Sequence, residues 1–102
     1  MPGVRPPVVP PYARPNSQSY IVTLDDPARQ EAVMRALLEE GISTCAGIMC
    51  AHREPPYADA WRGASLPGSE RAQDAGISLP IYPRMTDRDV GRVVGALARV
   101  LR

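Results

Sequence analysis

Residues 19–41, SYIVTLDDPARQEAVMRALLEEG, hold a complete passage from strand to helix. Ser19 to Leu24 is a β-branched and aromatic run suited to a pleated, half-buried surface, and Asp25-Asp26-Pro27 ends it. Asp26 is placed to N-cap a helix with Pro27 at its first position, where the missing N–H is not needed. Val33, Met34, Leu37 and Leu38 then recur at spacings of three and four, which predicts one buried face. Gly41 ends the helix, because glycine readily takes the left-handed conformation of a C-terminal cap.

Downstream, Ile42 to Met49 (ISTCAGIM) reads as a second strand, with Gly47 marking a bulge or a close backbone approach. Ala51 to Gly68, containing Pro55, Pro56, Gly63 and Pro67, reads as a long irregular loop, and Glu70 to Asp74 as a short helix. Gly76 to Pro80 (GISLP) is a third strand whose proline belongs at its end or on a sheet edge. The last helix is announced by Thr86-x-x-Asp89, which resembles a capping box, and by an apolar stripe of Val90, Val93, Val94, Leu97 and Leu101. Arg88, Arg92 and Arg99 fall on its other side. Gly91 and Gly95 cost about 1 kcal/mol each against alanine, so they point either to tight packing or to a chain that tolerates marginal stability.

Ahead of this unit, the first 16 residues (MPGVRPPVVPPYARPN) hold six of the 12 prolines. Proline fixes φ and removes a donor, so residues 1–18 are expected to form an extended, unpaired arm, and residues 19–102 the folded domain. A polyproline ligand for an SH3-like module is an alternative use of the arm. The order β-α-β-loop-α-β-α gives an α+β fold, a small sheet with helices packed on one face.

The chain has 102 residues, enough for one domain with a modest core. Its 12 arginines nearly balance 11 acidic residues, for a net charge of +1, so nothing electrostatic favours nucleic acid or an anionic membrane as partner. No apolar run approaches the roughly 20 residues of a spanning helix and no secretory leader is visible, so a cytoplasmic protein is expected. Lysine does not occur. Every primary amine except the N-terminus is therefore missing, and with it the group that forms Schiff bases with carbonyl cofactors. Cys45 and Cys50 are too few for a disulfide framework and are expected as buried thiols. With His52 they could offer three soft metal ligands, but a closed zinc site wants four and a paired spacing, so no metal is expected.

Three segments in this order resemble the C-terminal region of the DegT/DnrJ/StrS-type aminotransferases. They are Gly41-Ile42-Ser43-Thr44; His52-x-x-Pro55-x-Tyr57 followed by Leu66-Pro67-x-x-Glu70; and Ser78-Leu79-Pro80-Ile81-Tyr82-Pro83-x-Met85-Thr86. One departure is Gly47-Ile48-Met49-Cys50-Ala51, where that family usually carries a Tyr-Pro-containing stretch. The resemblance covers about four-fifths of the chain. It implies the small C-terminal domain of a fold-type-I transferase that uses pyridoxal phosphate (PLP) to aminate keto-sugars carried on nucleotides. It also implies that the cofactor-binding lysine and most phosphate contacts belong to a large domain absent from these 102 residues.

On this resemblance the substrate-binding candidates are His52, Arg53 and Tyr57, with no catalytic or cofactor-binding residue in the chain. His52 opens the irregular loop, where the resemblance sets a residue near the sugar; the alternative is a histidine that serves the fold. Arg53 could meet a phosphate or carboxylate through its bidentate fork, or stay solvated. Tyr57 and Tyr82 suit a sugar or an interface, and equally a half-buried packing role. Trp61 could anchor a missing large domain or cover this domain's own core. Ser78 lacks a histidine or acid partner in sequence and reads as a hydrogen-bonding strand-end residue. The expected partner is a large-domain chain or a second copy, which would leave an apolar face exposed here. A freestanding binding module of the same fold and a truncated gene product are the competing readings.

Overall fold

In the computed structural model, which describes Met1–Arg102, four strands form one antiparallel sheet in the order β1-β2-β4-β3. They are β1 (Val4–Arg5), β2 (Tyr20–Leu24), β3 (Cys45–Ala46) and β4 (Gly76–Leu79). The centre is β2 against β4, with Tyr20 opposite Leu79 and Val22 opposite Ile77. The helices are α1 (Gln30–Glu39), α2 (Pro55–Ala58), α3 (Pro67–Ala75) and α4 (Asp87–Val100).

Alternation along the strands sets the core. Val4, Val22, Leu24, Ile77 and Leu79 bury themselves beneath Val33 and Leu37 of α1 and Val93, Ala96 and Leu97 of α4. Ile21, Thr23 and Ser78, on the opposite face, remain half-buried. The expected α+β sheet with helices packed on one face is the architecture found.

Local signals explain most boundaries. Asp26 accepts from the Ala28 N–H at 3.0 Å, and a 3-10 turn over Pro27–Arg29 leads into α1. Gly41, at φ +75°, closes α1. Thr86 and Asp89 form a reciprocal capping box at the start of α4. Arginines finish the helix ends: Arg29 donates to the Val100 and Leu101 carbonyls, and Arg92 to that of Glu40 at 2.8 Å. Arg99 also pairs with the Glu40 carboxylate.

Several expectations need correcting. The proline-rich arm is not wholly unpaired, because Val4 pairs with Leu24 and Arg5 with Thr23 before Pro6 and Pro7 remove the next donors. Val4 thereby joins the core, and Arg5 reaches Asp25 at 2.7 Å. The strand foreseen over residues 42–49 shrinks to Cys45–Ala46, since from Gly47 the chain turns in to touch α3. The loop foreseen over 51–68 contains a 3-10 turn (Ala51–Arg53) and α2, and the short helix over 70–74 extends to Pro67–Ala75.

Leu38, Val90 and Val94 lie outside the core, while Ala96 lies in it, because one sheet face admits a narrower stripe than apolar periodicity alone suggests. Cys45 is exposed on the short edge strand, and only Cys50 is buried. Tight packing does not explain Gly91: open space lies where its side chain would stand.

Candidate functional site

The sequence-predicted site residues lie on the segment between β3 and α3, which is clamped onto α3 by a chain of hydrogen bonds. Gly47 begins the clamp. Its N–H donates to the Gly76 carbonyl at 2.7 Å, and a Cβ at this position would stand 2.1 Å from the Ala72 carbonyl oxygen. Only glycine lets the two backbones come this close. Three residues on, the buried Cys50 donates its N–H to Gln73 Oε1 at 2.8 Å. Gln73 is held in turn through its own carbonyl, which accepts from Gln30 Nε2 at 2.7 Å. That same nitrogen donates to the Gly76 carbonyl, so α1, α3 and β4 share one amide.

His52 comes next, on the Ala51–Arg53 turn. Its side chain is only 7% exposed, and Nε2 lies 3.1 Å from Glu70 Oε1. The ring is thus hydrogen-bonded within the fold, and His52 also borders the cleft described below. Glu70 Oε1 also accepts the Leu66 N–H at 3.0 Å, satisfying a free donor at the start of α3. The Leu66 N–H and then the His52 bond hold the Glu70 carboxyl below its ordinary value against desolvation, with Arg53 adding a weaker pull.

Arg53 makes a two-pronged pair with Asp74, at 2.7 Å and 3.1 Å, and its Nη2 stands 3.9 Å from Glu70 Oε2. The hydrogen bond to Arg53 holds Asp74 below the usual carboxylate range. Arg53 thus reaches a carboxylate through its fork, as its chemistry suggested, but one of its own chain.

Tyr57 is different. It sits on α2, with Pro55 and Pro56 in the first turn, and its ring is 55% exposed. With Trp61, 52% exposed, and Leu66 it walls an open cleft of about 290 Å³ that also touches Ala51 and His52. The structure therefore brings His52 and Tyr57 to one cleft and turns Arg53 toward α3. Trp61 faces outward instead of covering the core.

Sequence reasoning named the loop half of this constellation and missed most of the helix half. Glu70, Gln73 and Asp74, at spacings of three and four, share one face of α3, and each holds a loop residue. The available signal was Pro67 at a helix start with an acid in the first turn. Chemically, the site is a rigid polar seam beneath an apolar, aromatic cleft. It contains no amine to react with a carbonyl, so its residues do not fit PLP as a covalent partner.

Comparison with solved structures places this geometry in a known architecture. The aminotransferase TlmJ from Streptoalloteichus hindustanus matches 99% of this chain at 28% identity and a TM-score of 0.85. DesV from S. venezuelae, solved in complex with a ketimine intermediate, matches 99% at 27% identity and a TM-score of 0.87. The sugar aminotransferase CalS13 from Micromonospora echinospora matches 97% at 25% identity and a TM-score of 0.80. In each, the matched part is about a quarter of the relative: 27%, 27% and 26% of its length. The model of the DegT/DnrJ/EryC1/StrS aminotransferase family matches residues 1–98, and the arm that supplies β1 falls inside that span. The chain belongs to the DegT/DnrJ/EryC1/StrS aminotransferase family.

Proposed function

We propose that this chain is the small domain of a sugar aminotransferase, acting on a nucleotide-linked keto-sugar beside a large domain that supplies PLP and its lysine. One observation carries the proposal: a chain that matches a quarter of its relatives contains no lysine. The ketimine bound in DesV supports amine–carbonyl chemistry for the whole enzyme, and the word sugar in the description of CalS13 supports the substrate class. PLP, when bound, supplies an electron sink for amino transfer. The residues here supply surroundings.

In this proposal Tyr57 touches the substrate directly, because its ring is exposed at the cleft. His52 and Arg53 act by fixing the segment that carries it, through Glu70 and Asp74. Substrate binding at His52, Arg53 and Tyr57 is thus divided into one contact residue and two positioning residues. The working location in this reading is the cytoplasm.

The test is borohydride trapping of the purified chain with PLP, followed by peptide mapping. The expected pyridoxyl adduct is confined to the α-amine of Met1, with no amino transfer to a keto-sugar. An adduct on any other residue, or turnover by the chain alone, would overturn the proposal.

A further inference from the structure

Residues 54–65 form a lobe with turns of its own and no share in the core. Its N–H groups are answered from inside it: Tyr57 donates to the Glu54 carbonyl at 2.9 Å, Trp61 to that of Tyr57 at 3.1 Å and Ala64 to that of Trp61 at 2.9 Å. Arg62 pairs with Asp59, again within the lobe. Every hydrogen bond that residues 55–65 make stays within residues 54–65, and none of these residues is buried. Gly63, at φ +80° with open space beside it, turns the chain back toward α3. A compact loop that packs on itself and adds nothing to the core is tied down only where its ends meet, and such elements open at far lower cost than the sheet.

Here the ends meet on one atom. Glu70 Oε1 accepts from His52 Nε2 at 3.1 Å and from the Leu66 N–H at 3.0 Å, so a single carboxylate oxygen closes the neck from both sides. The Arg53–Asp74 pair ties the His52 side only. The aromatic cleft lies across this neck: Tyr57 and Trp61 wall it from the lobe, and Ala51, His52 and Leu66 from the neck. Two of the three neck residues are those that Glu70 holds. We propose that Glu70 is a positioning residue that clasps residues 54–65 as a flap. Its release swings Tyr57 and Trp61 away from His52 and Leu66 and opens the cleft, while the sheet, α1 and α4 stay folded. That the flap closes over substrate rests on the small-domain reading above.

The test is amide hydrogen exchange in the complete chain, with a change made at one end of the neck and read at the other. His52→Ala should speed exchange at Leu66 by about tenfold, the loss expected for one hydrogen bond to a charged group. Thr86→Ala, which uncaps α4, should speed exchange in β2 and β4 and leave Leu66 unchanged. In the wild type, low denaturant should do the same, because opening the neck exposes little surface. Leu66 exchanging in step with β2 and β4 would mean that the neck opens only on global unfolding, and would refute the flap. Trp61, the only tryptophan, gives a second signature. Acrylamide should quench it more readily in Glu70→Ala than in the wild type, and Glu70→Gln, whose amide oxygen still accepts both donors, should restore the wild-type value. Equal quenching in Glu70→Ala also refutes the clasp. With a lysine-bearing large-domain chain, PLP, an amino donor and a nucleotide-linked keto-sugar, Glu70→Ala should raise KM more than it lowers kcat, with rescue by Glu70→Gln. An unchanged KM refutes the flap's hold on substrate. A wild-type mixture without turnover overturns the small-domain reading, and exchange and quenching in the chain alone still decide the flap.

Discussion

Replacing His52 with alanine should destabilise the chain, because the imidazole does its measurable work inside the fold. The ring is 7% exposed and bridges the Ala51–Arg53 turn to α3 through Glu70. Removing a buried, hydrogen-bonded side chain falls in the upper part of the usual range for single substitutions, about 2 kcal/mol. For a domain of this size that lowers the thermal midpoint by roughly 8–16 °C. Thermal unfolding followed by circular dichroism reads it. The pH dependence supplies a second signature. Glu70 is held below its ordinary value of 4.5, so the stability it contributes is complete above that pH and disappears as pH falls through the lowered value. The gap between wild type and His52→Ala should therefore be full near neutrality and should narrow as Glu70 takes up its proton. An unchanged midpoint at neutral pH would refute the His52–Glu70 link.

Other positions give independent tests. Gly47→Ala should lower the midpoint by an amount corresponding to about 1–3 kcal/mol, since its methyl would meet the Ala72 carbonyl and one backbone must move; an unaffected variant would contradict that contact. Thr86→Ala should cost about 1 kcal/mol by removing the cap of α4, and chemical denaturation would show it as a lower midpoint with an unchanged slope. Under native conditions iodoacetamide should modify Cys45 quickly and Cys50 only on unfolding; equal rates would contradict the burial of Cys50.

The strand-to-helix passage at residues 19–41 was legible because its signals are local: β-branched residues, a capping Asp, a proline at the first position and a terminal glycine. The capping box of α4 was legible for the same reason. What escaped depends on distant partners. Pairing of Val4–Arg5 requires Leu24 and Thr23 to be waiting across a turn of more than a dozen residues, and proline content concealed it. The short β3 reflects Gly47 meeting Ala72, a contact that no periodicity records. Val90 and Val94 have the spacing of core residues, and only the width of the sheet shows that they are surplus to it. At the site, the loop residues stood out by type and order. Their anchors on α3 did not, because a Glu, a Gln and an Asp on a short helix look like any solvated face until the loop folds onto them.

On the proposed function, this chain lacks the amine that amino transfer needs and supplies part of the surroundings of the reaction. The most direct measurement is amine formation in a reconstituted mixture of this chain, a lysine-bearing large-domain chain of the same family, PLP, an amino donor and a nucleotide-linked keto-sugar. Product should form only when both chains are present, and Tyr57→Ala should raise KM more than it lowers kcat. Turnover by this chain alone, or equal turnover by the large-domain chain without it, would contradict the account.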